Sequence, residues 1–173
     1  MFEPMPFERE KHVYRCDEFS ELLKDAVRFF HGTPVCKFPP DEKFAGAGVY
    51  ALYYIGKTGI YAKFGQEINR EEYKLPIYVG KAEPTRGCDS DRDLDGQFRI
   101  LRTEIIKNSG LRLKDFRVRC LERRNCPICR EVGAFMRRRY RPIWNRLMPR
   151  GLNGDAVRGI SAQMLVQRYL ESV

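Results

Sequence analysis

Apolar residues recur at three- and four-residue intervals early in the chain, so Asp17 to Phe30 is predicted to form an amphipathic helix. Phe19, Leu22, Leu23, Ala26, Val27 and Phe30 make its stripe, Asp17 is placed to cap its start, and Gly32 and Pro34 end it. A Pro39-Pro40 loop leads to a strand over about Val49 to Ile55, apolar or aromatic on both faces, as a strand covered on two sides should be. A second strand is predicted over Pro76 to Gly80. The connection between them, about Lys57 to Leu75, is too long for a tight hairpin and carries Tyr61, Phe64, Arg70 and Tyr73, the profile of a binding element.

Further on, Leu94, Phe98, Leu101 and Ile105 mark a helix that stops near Ser109-Gly110. Phe116, Val118 and Cys120 then alternate with Arg117 and Arg119, the pattern of a half-buried strand with one basic face. A helix from Ile128 to Arg139, a rigid turn from Tyr140 to Asn145, and a last helix capped by Ser161 with Met164, Leu165 and Leu170 buried complete the pattern. Asp89, Asp91, Asp93 and Asp95 lie in a loop without the glycine and terminal glutamate of a calcium loop, so it reads as solvated. The division expected is an N-terminal extension (1–45), a central domain (46–148) and a C-terminal loop and helix (149–173).

At 173 residues and 43% hydrophobic, the chain can bury the core of one domain unaided. It has no apolar run near the roughly 18 residues of a membrane span, and Met1-Phe2-Glu3-Pro4 lacks a secretion pattern, so a cytoplasmic protein with no membrane partner is expected. The net charge of +9 is lopsided: residues 1–96 carry 14 Lys/Arg against 17 Asp/Glu, residues 97–173 carry 18 against 6. Lys107 and Lys114 are the only lysines of the basic half. A guanidinium binds phosphate or a guanine edge through two parallel hydrogen bonds, so this half points to a nucleic acid. Cys126 and Cys129 have the spacing of half a zinc site, but no second CxxC exists and His12 and His31 lie far upstream; structural thiols are the simpler reading.

Two glycine-bounded aromatic segments carry a resemblance: Gly48-Val49-Tyr50 running into Tyr53-Tyr54-Ile55-Gly56, and Ile77-Tyr78-Val79-Gly80-Lys81. They resemble the paired signature of the GIY-YIG nuclease superfamily. From about residue 8 to 82, and again over Tyr140-Arg-Pro-Ile-Trp-Asn145, the chain is similar to the type II restriction endonucleases of that superfamily that cut CCGCGG. The resemblance implies an α+β fold: a small, mainly antiparallel three-stranded sheet flanked by helices, here with an N-terminal helical extension. It also implies a homodimer on double-stranded DNA.

In that family a divalent metal, held by a helix glutamate, polarises the scissile phosphate while an arginine, a histidine and two tyrosines manage charge and protons. The resemblance puts the tyrosines at Tyr50 and Tyr78 and the family's asparagine at Asn145. It puts Gln97 at the arginine position and Leu101 at the histidine position. Counted back from Asn145, the glutamate position holds Gly133; counted by core packing, it holds Glu131, the candidate metal ligand. Lys81, Arg137, Arg138, Arg141, Arg146 and Arg150 are the candidate DNA contacts. The implied function is a sequence-specific DNA-binding protein on a nuclease scaffold that has lost hydrolysis, needs no cofactor, and serves regulation or another binding role. The alternatives are an active Mg2+-dependent endonuclease with rearranged groups, and an RNA-binding or structural module.

Overall fold

The computed structural model describes residues 16–43, 46–83 without 58, 60 and 71, then 92–107, 110–123 and 128–147. Four helices and four strands follow in the order α1 (Asp17–Gly32), β1 (Cys36–Lys37), β2 (Ala47–Tyr54), β3 (Tyr78–Ala82), α2 (Leu94–Lys107), β4 (Phe116–Arg123), α3 (Ile128–Tyr140) and α4 (Ile143–Leu147). The sheet has the order β1-β4-β2-β3 with every pair antiparallel. It therefore has one strand more than the three expected. The addition is the two-residue β1, which sets Cys36 opposite Val118 and Lys37 opposite Arg117 and draws the segment after α1 onto the sheet edge.

Strand β2 runs through the middle, and its side chains alternate between two cores. Tyr50, Leu52 and Tyr54 join Tyr78, Leu94, Phe98, Leu101, Ile105, Phe116 and Trp144 on one face. Val49, Ala51 and Tyr53 join Val79, Phe30, Ile128, Cys129, Val132 and Met136 on the other. Both faces of the sheet are covered, which is why β2 reads as a continuous apolar run. Helix α2 sinks four large side chains, Leu94, Phe98, Leu101 and Ile105, each contributing roughly 1.5–3 kcal/mol. Helix α1 sinks only Phe30 fully, so it is held far less tightly.

Two expectations for α1 are corrected. Asp17 does not cap it: the cap position is Cys16, which makes no side-chain bond, and Asp17 lies within the first turn, where its charge favours the positive helix end. The apolar stripe is not wholly covered either: Leu23, Ala26, Val27 and Phe30 pack against the core, while Phe19 and Leu22 remain 42% and 50% exposed. The long connection after β2 is not structureless. It forms a π-helical turn at Phe64–Ile68, locked by buried Asn69, whose side-chain amide donates to the carbonyls of Tyr54 (3.1 Å) and Leu75 (3.0 Å) and accepts from the Leu75 N–H (3.0 Å). The predicted last helix, the aspartates at 89 and 91, Cys126 and Arg150 lie outside the described residues.

Candidate functional site

Antiparallel pairing sets Tyr50 opposite Gly80 and Leu52 opposite Tyr78, so both tyrosines fall on the same face of neighbouring strands. Their ring centroids are 6.0 Å apart, and Phe98 of α2 packs edge-on against Tyr50 at 5.2 Å. The Tyr50 ring lies across Gly80 so closely that a Cβ there would overlap the ring, which accounts for the glycine at this position. Tyr50 is wholly buried and Tyr78 is 8% exposed.

The Tyr50 hydroxyl makes no well-formed hydrogen bond within the protein, although it lies near enough to Tyr78 for the two phenols to influence each other. Burial pushes the Tyr50 pKa well above 10, and proximity to Tyr78 adds to the rise. Burial also raises Tyr78, but the Tyr50 hydroxyl and the Arg137 guanidinium work against that rise. At neutral pH both are therefore phenols that donate a proton in a hydrogen bond rather than bases that take one.

On α2, Gln97 is half-buried and Leu101 is fully buried among the aromatic and aliphatic side chains beneath the tyrosine pair. Leucine neither moves a proton nor carries charge. The one histidine among the described residues, His31, is on α1 beside Tyr140, 3.4 Å from its hydroxyl. It packs with the opposite core, and burial lowers its pKa, with Arg119 adding to the effect.

Asn145 uses both ends of its amide on one residue: it accepts from the Val79 N–H at 2.8 Å and donates to the Val79 carbonyl at 2.9 Å. Trp144 N–H donates to the Ile77 carbonyl at 2.9 Å. Helix α4 thereby covers the outer edge of β3, which would otherwise present unpaired backbone groups. This anchoring also fixes the turn that carries the arginines. Arg137, Arg141, Pro142, Asn145 and Arg146 line one open groove of about 330 Å³. Arg141 ends α3 in the left-handed backbone region (φ 44°), where a glycine is the usual occupant.

The remaining candidates are placed elsewhere. Arg138 is exposed, one residue and about 100° around the helix from Arg137, and does not line the groove. Lys81 is paired with Glu83 (2.8 Å), which also meets Arg130 (3.1 Å), so its charge is matched locally. That short chain of charges holds the Glu83 carboxyl below its usual range, chiefly through its bond with Lys81. Gly133 faces Val49, and a Cβ there would make ordinary contacts with Val49 (3.4 Å) and with an Arg137 guanidinium nitrogen (3.7 Å). Glu131 is half-buried and projects about 120° around the helix from Arg137. Among the described residues no group of three or more His, Cys, Asp and Glu could hold a metal, and Cys129 is buried in the core.

Sequence reasoning missed Asn69 and the Arg137–Arg146 grouping as a groove. A polar residue between Ile68 and the strand was the only signal for the first; for the second, the Pro142 turn reversing an arginine-rich helix was available.

No described helix is long and apolar enough to cross a membrane. No curated protein matches the chain. The model of the Eco29kI GIY-YIG domain matches residues 42–163, which takes in the tyrosine pair, α2, α3 and the arginine groove. With that match over most of its length and the antiparallel sheet between helices, the chain belongs to the GIY-YIG superfamily, in the family of the Eco29kI domain.

Proposed function

We propose that the protein binds double-stranded DNA in a sequence-specific manner, as a homodimer in the cytoplasm, and that it does not hydrolyse the DNA it binds. One observation carries this reading. Leu101 is wholly buried in the core at the position where the resemblance calls for a histidine, so at that position the tyrosine pair meets a side chain that carries no proton. Removing one charge-stabilising or proton-handling group from such a site lowers the rate by orders of magnitude.

Binding has its own support. Among the described residues, no carboxylate lines the groove of Arg137, Arg141 and Arg146, and Asn145 of the same groove is bonded to Val79, the residue after Tyr78. A cationic groove of this kind holds the DNA backbone through charge-assisted hydrogen bonds, while base contacts made elsewhere supply the sequence preference. Twofold symmetry of a dimer matches a palindromic or near-palindromic site.

The test is a fluorescence-anisotropy titration of the full chain against short duplexes as salt rises. Tight binding with a steep loss of affinity between 50 and 200 mM salt supports the reading, and binding that ignores salt, or no binding at low salt, overturns it. A second reading, an active endonuclease, is favoured by the intact Tyr50–Tyr78 pair. Metal-dependent fragments from a plasmid would select it.

A further inference from the structure

Helix α1 carries two apolar stripes rather than one. Leu23, Val27 and Phe30 pack against the core, whereas Phe19, Leu22, Ala26 and Phe29, spaced three, four and three residues apart, form a seam along its outer side. Phe19, Leu22 and Phe29 make up most of the large apolar side chains left exposed among the described residues, and Phe29 is 65% exposed. Leu22, Ala26 and Phe29 wall an open groove of about 270 Å³ whose other side is Leu121 of β4 and Ile128 of α3. A contiguous exposed apolar surface of this kind marks an interaction site, where single exposed apolar residues would not.

The groove is acidic in a chain whose net charge is +9. Asp25 and Glu122 line it, and among the described residues no lysine or arginine does. Glu18 lies about 80° around α1 from Ala26, on the same side as Asp25. Lys24 and Arg28, which meet Glu21 (2.7 Å) and Asp25 (3.6 Å), each project about 160° around the helix from Ala26 and leave the groove side to the carboxylates. This charge turns DNA away, because phosphates are repelled there. It also disfavours a second copy, since a twofold axis between two α1 helices sets the acidic flank against itself.

We propose that this groove docks an amphipathic helix of another protein, one that presents an apolar stripe to Phe19, Leu22 and Phe29 and basic residues to Glu18, Asp25 and Glu122. Helix-in-groove recognition needs a track of about three turns, apolar anchors at three- and four-residue spacing, and a charged rim that fixes the orientation, and α1 supplies all of them. Phe30 and the inner stripe hold α1 to the core, so its outer side takes a ligand without leaving the sheet. The arginine groove is lined by other residues altogether, so the chain offers one cationic groove and, apart from it, one acid-rimmed apolar groove.

The experiment titrates the full chain into two labelled helical peptides that share one leucine stripe at the seam's spacing, one carrying lysine and the other glutamate at the remaining positions. A protein of net charge +9 attracts the glutamate peptide by overall charge alone, so a preference for the lysine peptide reports the groove. The lysine peptide should bind about tenfold more tightly or better. Phe29→Ser should weaken it about tenfold and Glu122→Lys severalfold, while Ile106→Ser, at a 60% exposed site on α2, should change it less than about twofold. Absence of binding, equal binding of the two peptides, or binding that Phe29→Ser and Glu122→Lys both leave unchanged overturns the proposal. So does a sedimentation mass that falls to one chain in Phe29→Ser, which assigns the groove to a second copy, or a markedly lower melting temperature of that variant, which assigns it to a segment of the same chain. Duplex binding, measured separately by anisotropy, stands or falls on its own.

Discussion

Removing the amide of Asn145 should damage stability more than its place beside the tyrosines would imply. Its two hydrogen bonds, 2.8 and 2.9 Å, satisfy both backbone groups of Val79 on the outer edge of β3. Asn145→Ala leaves that N–H and carbonyl unpaired in a part-buried setting. Each unsatisfied group costs about 1–3 kcal/mol when water is excluded, so partial access of water brings the expected total to about 2–3 kcal/mol. Asn145→Asp is the sharper variant. Its carboxylate still accepts from the Val79 N–H but faces the Val79 carbonyl as a second acceptor, so the loss should equal or exceed that of alanine. Urea denaturation measures both, with the slope m unchanged because the exposed surface is the same. If Asn145 only served chemistry, either variant would shift the midpoint by less than the equivalent of about 0.5 kcal/mol, and the account of how α4 anchors the groove would be refuted.

Four further outcomes follow from the same geometry. Tyr50→Phe deletes a wholly buried hydroxyl with no well-formed partner, so stability in urea should hold or rise by up to about 1 kcal/mol rather than fall. Arg141→Gly relieves a left-handed residue, so the melting temperature should hold or rise while DNA affinity drops severalfold, and a parallel fall of both would contradict the separation of roles. Gly133→Ala should stabilise the helix by about 0.5–1 kcal/mol, since the added Cβ meets only ordinary contacts. Burial raises the folded-state pKa of Tyr53 and Tyr61 from 10.0 to about 12, so their contribution to stability is present below pH 10 and lost as pH rises from 10 toward 12. Ultraviolet titration of tyrosine ionisation alongside a stability curve checks this, and native tyrosines that all ionise near pH 10 would contradict it.

The periodic elements were legible because each buries a repeating stripe. Helix α2 begins at Leu94 as its spacing requires, and β4 shows the alternation of Phe116, Val118 and buried partners. Strand β1 was not legible, since two residues hold no period and Cys36-Lys37 pairs only because the chain after α1 reaches the edge of β4. The exposure of Phe19 and Leu22 was hidden for the opposite reason: amphipathic spacing reports which side of a helix is apolar, not how far the neighbouring layer extends. The glycine-bounded segments pointed to Tyr50 and Tyr78, which the sheet sets side by side, and the helical spacing of Leu94, Phe98 and Ile105 placed Leu101 in the core. What Asn145 holds, and which of the arginines share a groove, depend on a turn meeting the far strand 66 residues away in sequence, a relation no local pattern carries.

The most direct test of the central claim places purified protein with supercoiled plasmid containing a bound site, in magnesium and separately in manganese, at protein concentrations where anisotropy shows the site filled. The account predicts that the plasmid stays supercoiled over hours, because Leu101, buried in the core, handles no proton. Discrete fragments that require metal and disappear with Tyr50→Phe would contradict it and identify a working nuclease.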